Sequence, residues 1–479
     1  MLLLMGAIFV IGYVFIAFEH PLKIDKAASA ILAGVLCWTV LALGGDSIFP
    51  GIGHEEVLHK IEHELGHHLT EIASILFFLM AAMTVVELID GYGGFSIITG
   101  AIKTTNRVKL LWILCFVTFF LSAALDNLTT AIVMAALIRK LMKNREDRWL
   151  FAGMVVIAAN AGGAWSPIGD VTTIMLWIKG QVTAGKVVTL LIIPSIIVTL
   201  VPLLILSFTL KGEVTRPVSH EKDSDGHGGH AGHGDSEEET GVSESEKKMV
   251  LILGVASLLF VPIFKNITHL PPYMGILFGL GVLWIVTEFF NAKKDAAQKL
   301  SVVKVLRKID MPSVLFFLGI LLAVGSLQTA GVLRQVAMGL DSTIGNVYVI
   351  NTAIGILSAI VDNVPLVAGA QGMYDMCQYP QDHDFWLLLA FCAGTGGSSL
   401  IIGSAAGVAI MGIMKIDFMW YLKKISLLAL SGYLVGVAVC YLFLGTPDGP
   451  ACDKKKCDEN CKPLTTASAT APAKTGDAH

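Results

Sequence analysis

Ser122-Ala-Ala-Leu-Asp126-Asn127-Leu-Thr129-Thr130 interrupts an apolar run over 110–138, and Ser358-Ala-Ile-Val-Asp362-Asn363 interrupts another over 347–371. A carboxylate inside an apolar segment is costly, so the same polar pattern met twice sets the reading of the whole chain. Each flanking arm is about 11–15 residues, short of the roughly 20 that a helix needs to span a hydrocarbon core. The spacing predicts two re-entrant hairpins with the Asp-Asn pairs at their tips.

Outward from these hairpins, ten more apolar runs read as crossings: 2–18, 27–43, 71–89, 150–178, 186–210, 248–264, 273–290, 313–330, 384–414 and 419–444. Composition agrees. Hydrophobic residues make up 54% of the 479 and charged residues 15%, against roughly 25% charged in soluble domains. This excludes a string of soluble domains and predicts a multi-pass protein with the lipid bilayer as its partner. A net charge of −4 offers no basic excess for nucleic acid. The first run lacks a basic n-region and a small-residue cleavage site, and reads as a retained helix. With the N-terminus outside, predicted cytoplasmic loops hold 24 of the 34 Lys and Arg, including Arg139, Lys140, Lys143, Arg145 and Arg148. That bias follows the positive-inside rule.

The two halves match. Ser122–Asn127 aligns with Ser358–Asn363, Gly162-Gly163 and Gly169 with Gly396-Gly397 and Gly403, and Leu76-Phe-Phe-Leu79 with Leu315-Phe-Phe-Leu318, at offsets of 236, 234 and 239. Five crossings per half is an odd number, so the halves have opposite orientations. The expected fold is an all-α membrane protein of two inverted repeats, each of about five transmembrane helices with a re-entrant hairpin and a broken helix. The divisions are 1–210 (first repeat), 211–247 (a His- and acid-rich cytoplasmic linker, low-complexity and disordered), 248–445 (second repeat) and 446–479 (a flexible tail). Inverted repeats with helices broken at corresponding positions mark secondary transporters with a midplane site.

The broken helices are Asn160-Ala-Gly-Gly-Ala-Trp-Ser-Pro-Ile-Gly-Asp170-Val-Thr172-Thr173 and Gly394-Thr-Gly-Gly-Ser398-Ser399-Leu-Ile-Ile-Gly-Ser404. Carboxylate, amide and hydroxyl oxygens are hard ligands that suit a small alkali cation or a proton. Asp126, Asp170 and Asp362 lead the candidates, with Asn127, Thr129, Thr130, Asn160, Thr172, Thr173, Ser358, Asn363, Ser398, Ser399 and Ser404 around them. The alternatives stand beside this reading: each Asp could cap the following helix, and each Thr could bond back to its own helix. Neither break carries Lys or Arg, which weighs against a dianionic substrate. Asp170 is matched by Ser404, so the cation is expected nearer the first repeat, with Asp126 and Asp170 as the metal-binding pair for sodium.

These segments resemble the NhaD-type sodium/proton antiporters of the ion transporter superfamily over about residues 1–445. The resemblance implies Na⁺ or Li⁺ export against H⁺ entry by alternating access in a bacterial inner membrane. It implies no cofactor beyond the transported ion and no enzymatic activity, and is compatible with a homodimer. It carries importance onto Asp126, Asn127, Asn160, Asp170, Thr172, Thr173, Ser358, Asp362 and Asn363. The runner-up is another carrier of the superfamily, for arsenite or an organic anion.

One motif competes. His63-Glu64-Leu-Gly-His67 is a literal H-E-x-x-H and resembles the zinc site of site-2 proteases, with Asp90 as the third ligand to be sought. It lies in a charged stretch, which favours an amphipathic outer helix with His59, His63 and His67 one turn apart. The His227–His233 tract reads as a solvated linker. Cys37, Cys115, Cys377, Cys392 and Cys440 read as small core residues, and Cys452, Cys457 and Cys461 cluster in the tail.

Overall fold

The computed structural model describes residues 1–479 except 18, 52, 101, 217–241, 293, 295–298 and 446–479. The first half contains α1 Leu2–Ala17, α2 Glu19–Leu22, α3 Lys26–Ile48, α4 His54–Gly91, α5 Phe95–Gly100, α6 Arg107–Leu125, α7 Asn127–Leu141, α8 Arg145–Ala164, α9 Val171–Ile178 and α10 Ala184–Thr209. The second contains α11 Glu244–Thr268, α12 Pro272–Asn291, α13 Val302–Leu306, α14 Met311–Thr329, α15 Val332–Thr343, α16 Val347–Leu357, α17 Asn363–Met373, α18 Asp384–Gly396, α19 Ala405–Met414, α20 Phe418–Lys424 and α21 Ser426–Leu444. A 3-10 turn at Gly397–Ser399 joins α18 towards α19. Among the described residues β structure is limited to one isolated bridge, Asn106 to Glu213.

Eight of these helices, α3, α4, α6, α10, α11, α12, α14 and α21, are long and apolar enough to cross a membrane. Their outward faces leave Leu43, Phe208, Ile252, Phe289 and Leu427 more than two-thirds exposed. Lipid, as apolar as leucine, can cover such faces, so this is a multi-pass membrane protein. Polar and broken segments go inside. In α8 every residue from Phe151 to Ala164 is buried, and in α18 every residue from Phe385 to Gly396. These two helices pack on each other at the centre.

The packing partners come in couples that follow the sequence repeat. Helix α1 packs on α3 as α11 does on α12, α3 on α14 as α12 on α4, and α6 on α8 as α16 on α18. Helix α7 lies against α19, and α17 against α9. Two glycines show why the repeat keeps them. A Cβ on Gly162 would collide with the Phe119 carbonyl oxygen, and one on Gly396 with the Gly355 carbonyl oxygen. Absence of a side chain lets α6 and α16 touch the central helices backbone to backbone.

Four expectations change here. Helix α6 has 19 residues and is itself long enough to cross, so the short-arm argument fails for the first Asp-Asn segment; α16 and α17, with 11 residues each, fit it. The stretch 54–91 is one continuous helix of 38 residues, not a surface helix followed by a crossing. The linker is ordered at both ends. Arg107 and Lys143 N–H groups donate to the Gly212 and Thr215 carbonyls, and Ser243 with Glu246 forms a capping box on α11. The central linker with His227–His233, and the tail with its three cysteines, lie outside the described residues. Finally, Cys377 is not a small core thiol but half-buried and disulfide-bonded, whereas Cys37, Cys115, Cys392 and Cys440 are free and buried.

Candidate ion-binding site

Four short helices begin at the centre, each capped by a residue of the repeated motifs. Asp126 caps α7, Asp170 caps α9, Asp362 caps α17 and Ser404 caps α19. An oxygen at this position accepts from the free N–H groups of the first turn, and negative charge is favoured there by the helix dipole. The capping alternative is therefore correct for the three aspartates, and Ser404 caps in the same way. It does not compete with ion binding, because a carboxylate has lone pairs to spare. Since α7 lies on α19 and α17 on α9, and all four touch α8 or α18, caps from both halves surround the central pair.

One hydrogen-bonded network joins the halves. The Asn127 side-chain amide donates to Asp170 Oδ2 at 2.7 Å and to Asn160 Oδ1 at 3.1 Å. The Asn160 amide donates onward to Ser398 Oγ and Ser404 Oγ, both at 2.9 Å. Asp170 Oδ1 accepts from the Thr172 backbone N–H at 2.9 Å and from its hydroxyl at 2.7 Å. All six side chains are buried. Such a chain of polar groups persists inside a protein only if its members satisfy one another.

Asp126 is different. Its Oδ1 accepts from the Thr129 N–H and its Oδ2 from the Thr129 hydroxyl, at 2.7 and 2.8 Å. Its backbone sits at φ 121°, in a region that disfavours side chains, and such strain gathers at functional sites. The break in the first half is this single residue, whereas the second unwinds over 358–362. The hydroxyls of Thr130, Thr173 and Ser399 are buried without a partner among the described residues. They are open donors or acceptors beside the network's own caps.

The structure brings together Asn127, Asn160, Asp170, Thr172, Ser398 and Ser404, with Asp126, Thr129, Thr130 and Thr173 on the same helix starts and Ser399 beside Ser398 in the 3-10 turn after α18. It sets Ser358 apart. The Ser358 hydroxyl donates to the Ala393 carbonyl at 2.9 Å, as its repeat partner Ser122 donates to Ala159 at 2.6 Å, and so clamps two helices. Asn363 is buried in the first turn of α17. Asp362 takes no part in the network; it accepts from the Val364 N–H at 3.4 Å and faces Lys26 at 3.6 Å. Lys26 is the residue that sequence reasoning missed. No basic residue lies in either break, but one reaches the second from the start of α3. In the sequence it is one cation in a charged loop, and the only signal is its place as the first residue of an apolar helix.

The zinc-protease reading fails on geometry. His63 and Asp90 sit on one unbroken helix, about 40 Å apart at 1.5 Å per residue, too far to share an ion. The group on α4 whose ligand atoms do converge is His67, His68 and Glu71, and there Lys179 already faces Glu71 at 3.0 Å.

Comparison with known proteins gives the family. The profile CitMHS, described as a citrate transporter, matches residues 13–387. The chain is 48% identical over 439 residues to "Sodium/proton antiporter 1" of Arabidopsis thaliana, covering 91% of this chain and 71% of that protein. It is 44% identical to "Sodium/proton antiporter 2" of the same plant, over 90% and 97%. It is 31% identical to "Na(+)/H(+) antiporter NhaD" of Vibrio cholerae, over 90% of each chain. The chain belongs to the NhaD-type sodium/proton antiporter family. The resemblance carried by the Asp-Asn and Gly-Gly motifs is borne out across the chain, and the NhaD-type scaffold reads as a carrier. Within it, the duplicated motifs supply the helix starts just described.

Proposed function

We propose that this protein exports Na⁺, or Li⁺, in exchange for protons by alternating access, in the inner membrane of a bacterium. The observation that carries this is the buried Asn127–Asp170–Asn160–Ser398/Ser404 network, which joins the starts of α7, α9 and α19. The Asn127 NH₂ group, the positive end of an amide, occupies the space between Asp170 Oδ2 and Asn160 Oδ1. A small cation bound there replaces one weak positive charge with a full one, and Asn127 turns its oxygen to face it. Asp126 and the open hydroxyls of Thr130, Thr173 and Ser399 are further hard ligands in reach of the same helix starts.

Exchange follows from competition. A proton on Asp170 or Asp126 cancels the charge that holds the cation, so each ligand leaves before the other binds. In a low-dielectric interior that charge dominates the attraction. The two halves supply different faces of the network, and a relative movement of halves would open it to either side. The paired packing of helices supports reading the halves as inverted repeats, and the positive-charge bias supports a cytoplasmic linker.

The test is sodium-driven collapse of a pH gradient in inverted membrane vesicles. A response to Na⁺ or Li⁺ is expected from neutral to alkaline pH. Silence to both, with a response to citrate or another organic anion, would turn the assignment to the second reading, which the citrate-transporter profile favours.

A further inference from the structure

We propose that Lys26 is a tethered counter-cation of the transport site, occupying Asp362 while the site holds no sodium and yielding it when sodium binds. Lys26 Nζ lies 3.6 Å from Asp362 Oδ2, across a break between sequence-distant halves. This inference rests on the sodium/proton reading and adds a residue to its mechanism.

Three observations point the same way. First, the three carboxylates are not equally satisfied. Asp126 and Asp170 each accept both the N–H and the hydroxyl of a threonine two or three residues on. Asp362 has Val364 and Pro365 at the corresponding positions and, among the described residues, accepts only the long hydrogen bond from the Val364 N–H. Its charge is answered by Lys26 instead. Second, the ammonium already touches another partner in the same position. It lies 4.7 Å from the centre of the Phe316 ring, whose face attracts cations. Phe316 belongs to α14, on which α3 packs extensively and against which α17 also lies. Lys26 can therefore leave Asp362 without being stranded in an apolar interior. Third, water has limited access to the pair. The side chains of Lys26 and Asp362 are 20% and 15% exposed, so solvent screens their attraction in part and the pair can open.

The consequence for transport is electrostatic. Helix α17, which Asp362 caps, packs on α9, which Asp170 caps, and charges at neighbouring helix starts act on each other strongly at low dielectric, so what sits on Asp362 tunes the site. With Lys26 in place, an empty site carries one negative charge fewer and attracts sodium less. When sodium binds at Asp170, its charge acts on Asp362 as well and loosens the hold on Lys26, and when sodium leaves, Lys26 returns. The tether weakens binding and speeds release, and no change in the charge state of Lys26 is required.

The experiment compares wild type, Lys26→Met, Lys26→Arg, Asp362→Asn and Lys26→Met/Asp362→Asn in inverted vesicles. Sodium binding to the same purified full-length proteins is followed by calorimetry. For Lys26→Met the apparent KM for Na⁺ should fall about fivefold or more, the scale of a partly exposed ion pair. Its kcat should fall as well, while Lys26→Arg stays near wild type in both. In the Asp362→Asn background, Lys26→Met should leave sodium affinity unchanged. A lysine that merely holds α3 to α17 would lower kcat without tightening sodium binding, and that result overturns the proposal. An equal shift in affinity in the Asp362→Asn background overturns it too. If wild type itself neither binds nor transports sodium, the antiport reading fails and takes this one with it. If wild type does both and Lys26→Met binds as it does, only the tether is refuted.

Discussion

Replacing Asp170 by Asn removes one charge and one lone-pair site, and the network makes the cost calculable. In the wild type, Asp170 Oδ1 accepts two bonds from Thr172 and Oδ2 accepts the Asn127 amide. The Thr172 N–H cannot turn away, so an asparagine at 170 must point its oxygen there and its NH₂ at the NH₂ of Asn127. Two donors then face each other. If Asn127 flips, its oxygen meets Asn160 Oδ1, so relief requires Asn160 to flip as well and the Ser398 and Ser404 hydroxyls to turn into donors. A buried polar group left unpaired costs about 1–3 kcal/mol. At Asp126 the arithmetic differs, because its second partner is the Thr129 hydroxyl, which can rotate and accept from an asparagine NH₂. Asp170→Asn should therefore unfold at lower temperature than Asp126→Asn, although both lose transport. The double variant Asp170→Asn/Asn127→Asp should recover stability. Its new carboxylate accepts from both amides once Asn160 flips, and the Ser398 and Ser404 hydroxyls can donate to the flipped Asn160 oxygen. Thermal unfolding in detergent, followed by a thiol-reactive dye, reads this directly, since Cys37, Cys115, Cys392 and Cys440 are free and buried until unfolding. Equal melting of the two single variants, or a double variant less stable than Asp170→Asn, would refute the donor–acceptor reasoning.

Calorimetric titration should rank the carboxylates: Asp126→Asn and Asp170→Asn abolish sodium binding, while Asp362→Asn, outside the network, weakens transport and keeps some binding. The reverse ranking would place the ion in the second half. Because protons and sodium share carboxylates, the apparent sodium affinity should weaken as pH falls, approaching about tenfold per unit for each coupled proton; a flat profile below the site's titration range would rule out a shared site. Gly396→Ala has no room against the Gly355 carbonyl and should cost about 1–3 kcal/mol, seen as a lower melting temperature. His63→Ala should leave sodium-driven proton flux intact, since His63 is exposed on α4 and has no part in the buried network; a loss of flux would give the histidines a role that this geometry denies them.

Much of this protein is legible in one dimension because lipid acts on each segment by itself. Apolar runs of crossing length, the Gly-Gly breaks and the duplicated Asp-Asn pairs each carry their cost or gain locally, so composition and spacing disclose the membrane class, the break positions and the capping residues. Arm length misled at the first break, because polar residues in mid-run say where a helix is interrupted and not how far it runs before; α6 extends back to an Asn106 cap. What only the tertiary structure decides is which groups meet. Asn127 and Asp170 are joined across 43 residues, Asn160 and Ser404 across 244, and Lys26 finds Asp362 from the opposite half. Hydrogen bonds and ion pairs act over a few ångströms, so their partners are set by how closely the packed helices approach. Equivalent serines, carboxylates and loop lysines in the sequence thus become a clamp at Ser358, a shared network at Ser398 and Ser404, and an ion pair at Lys26.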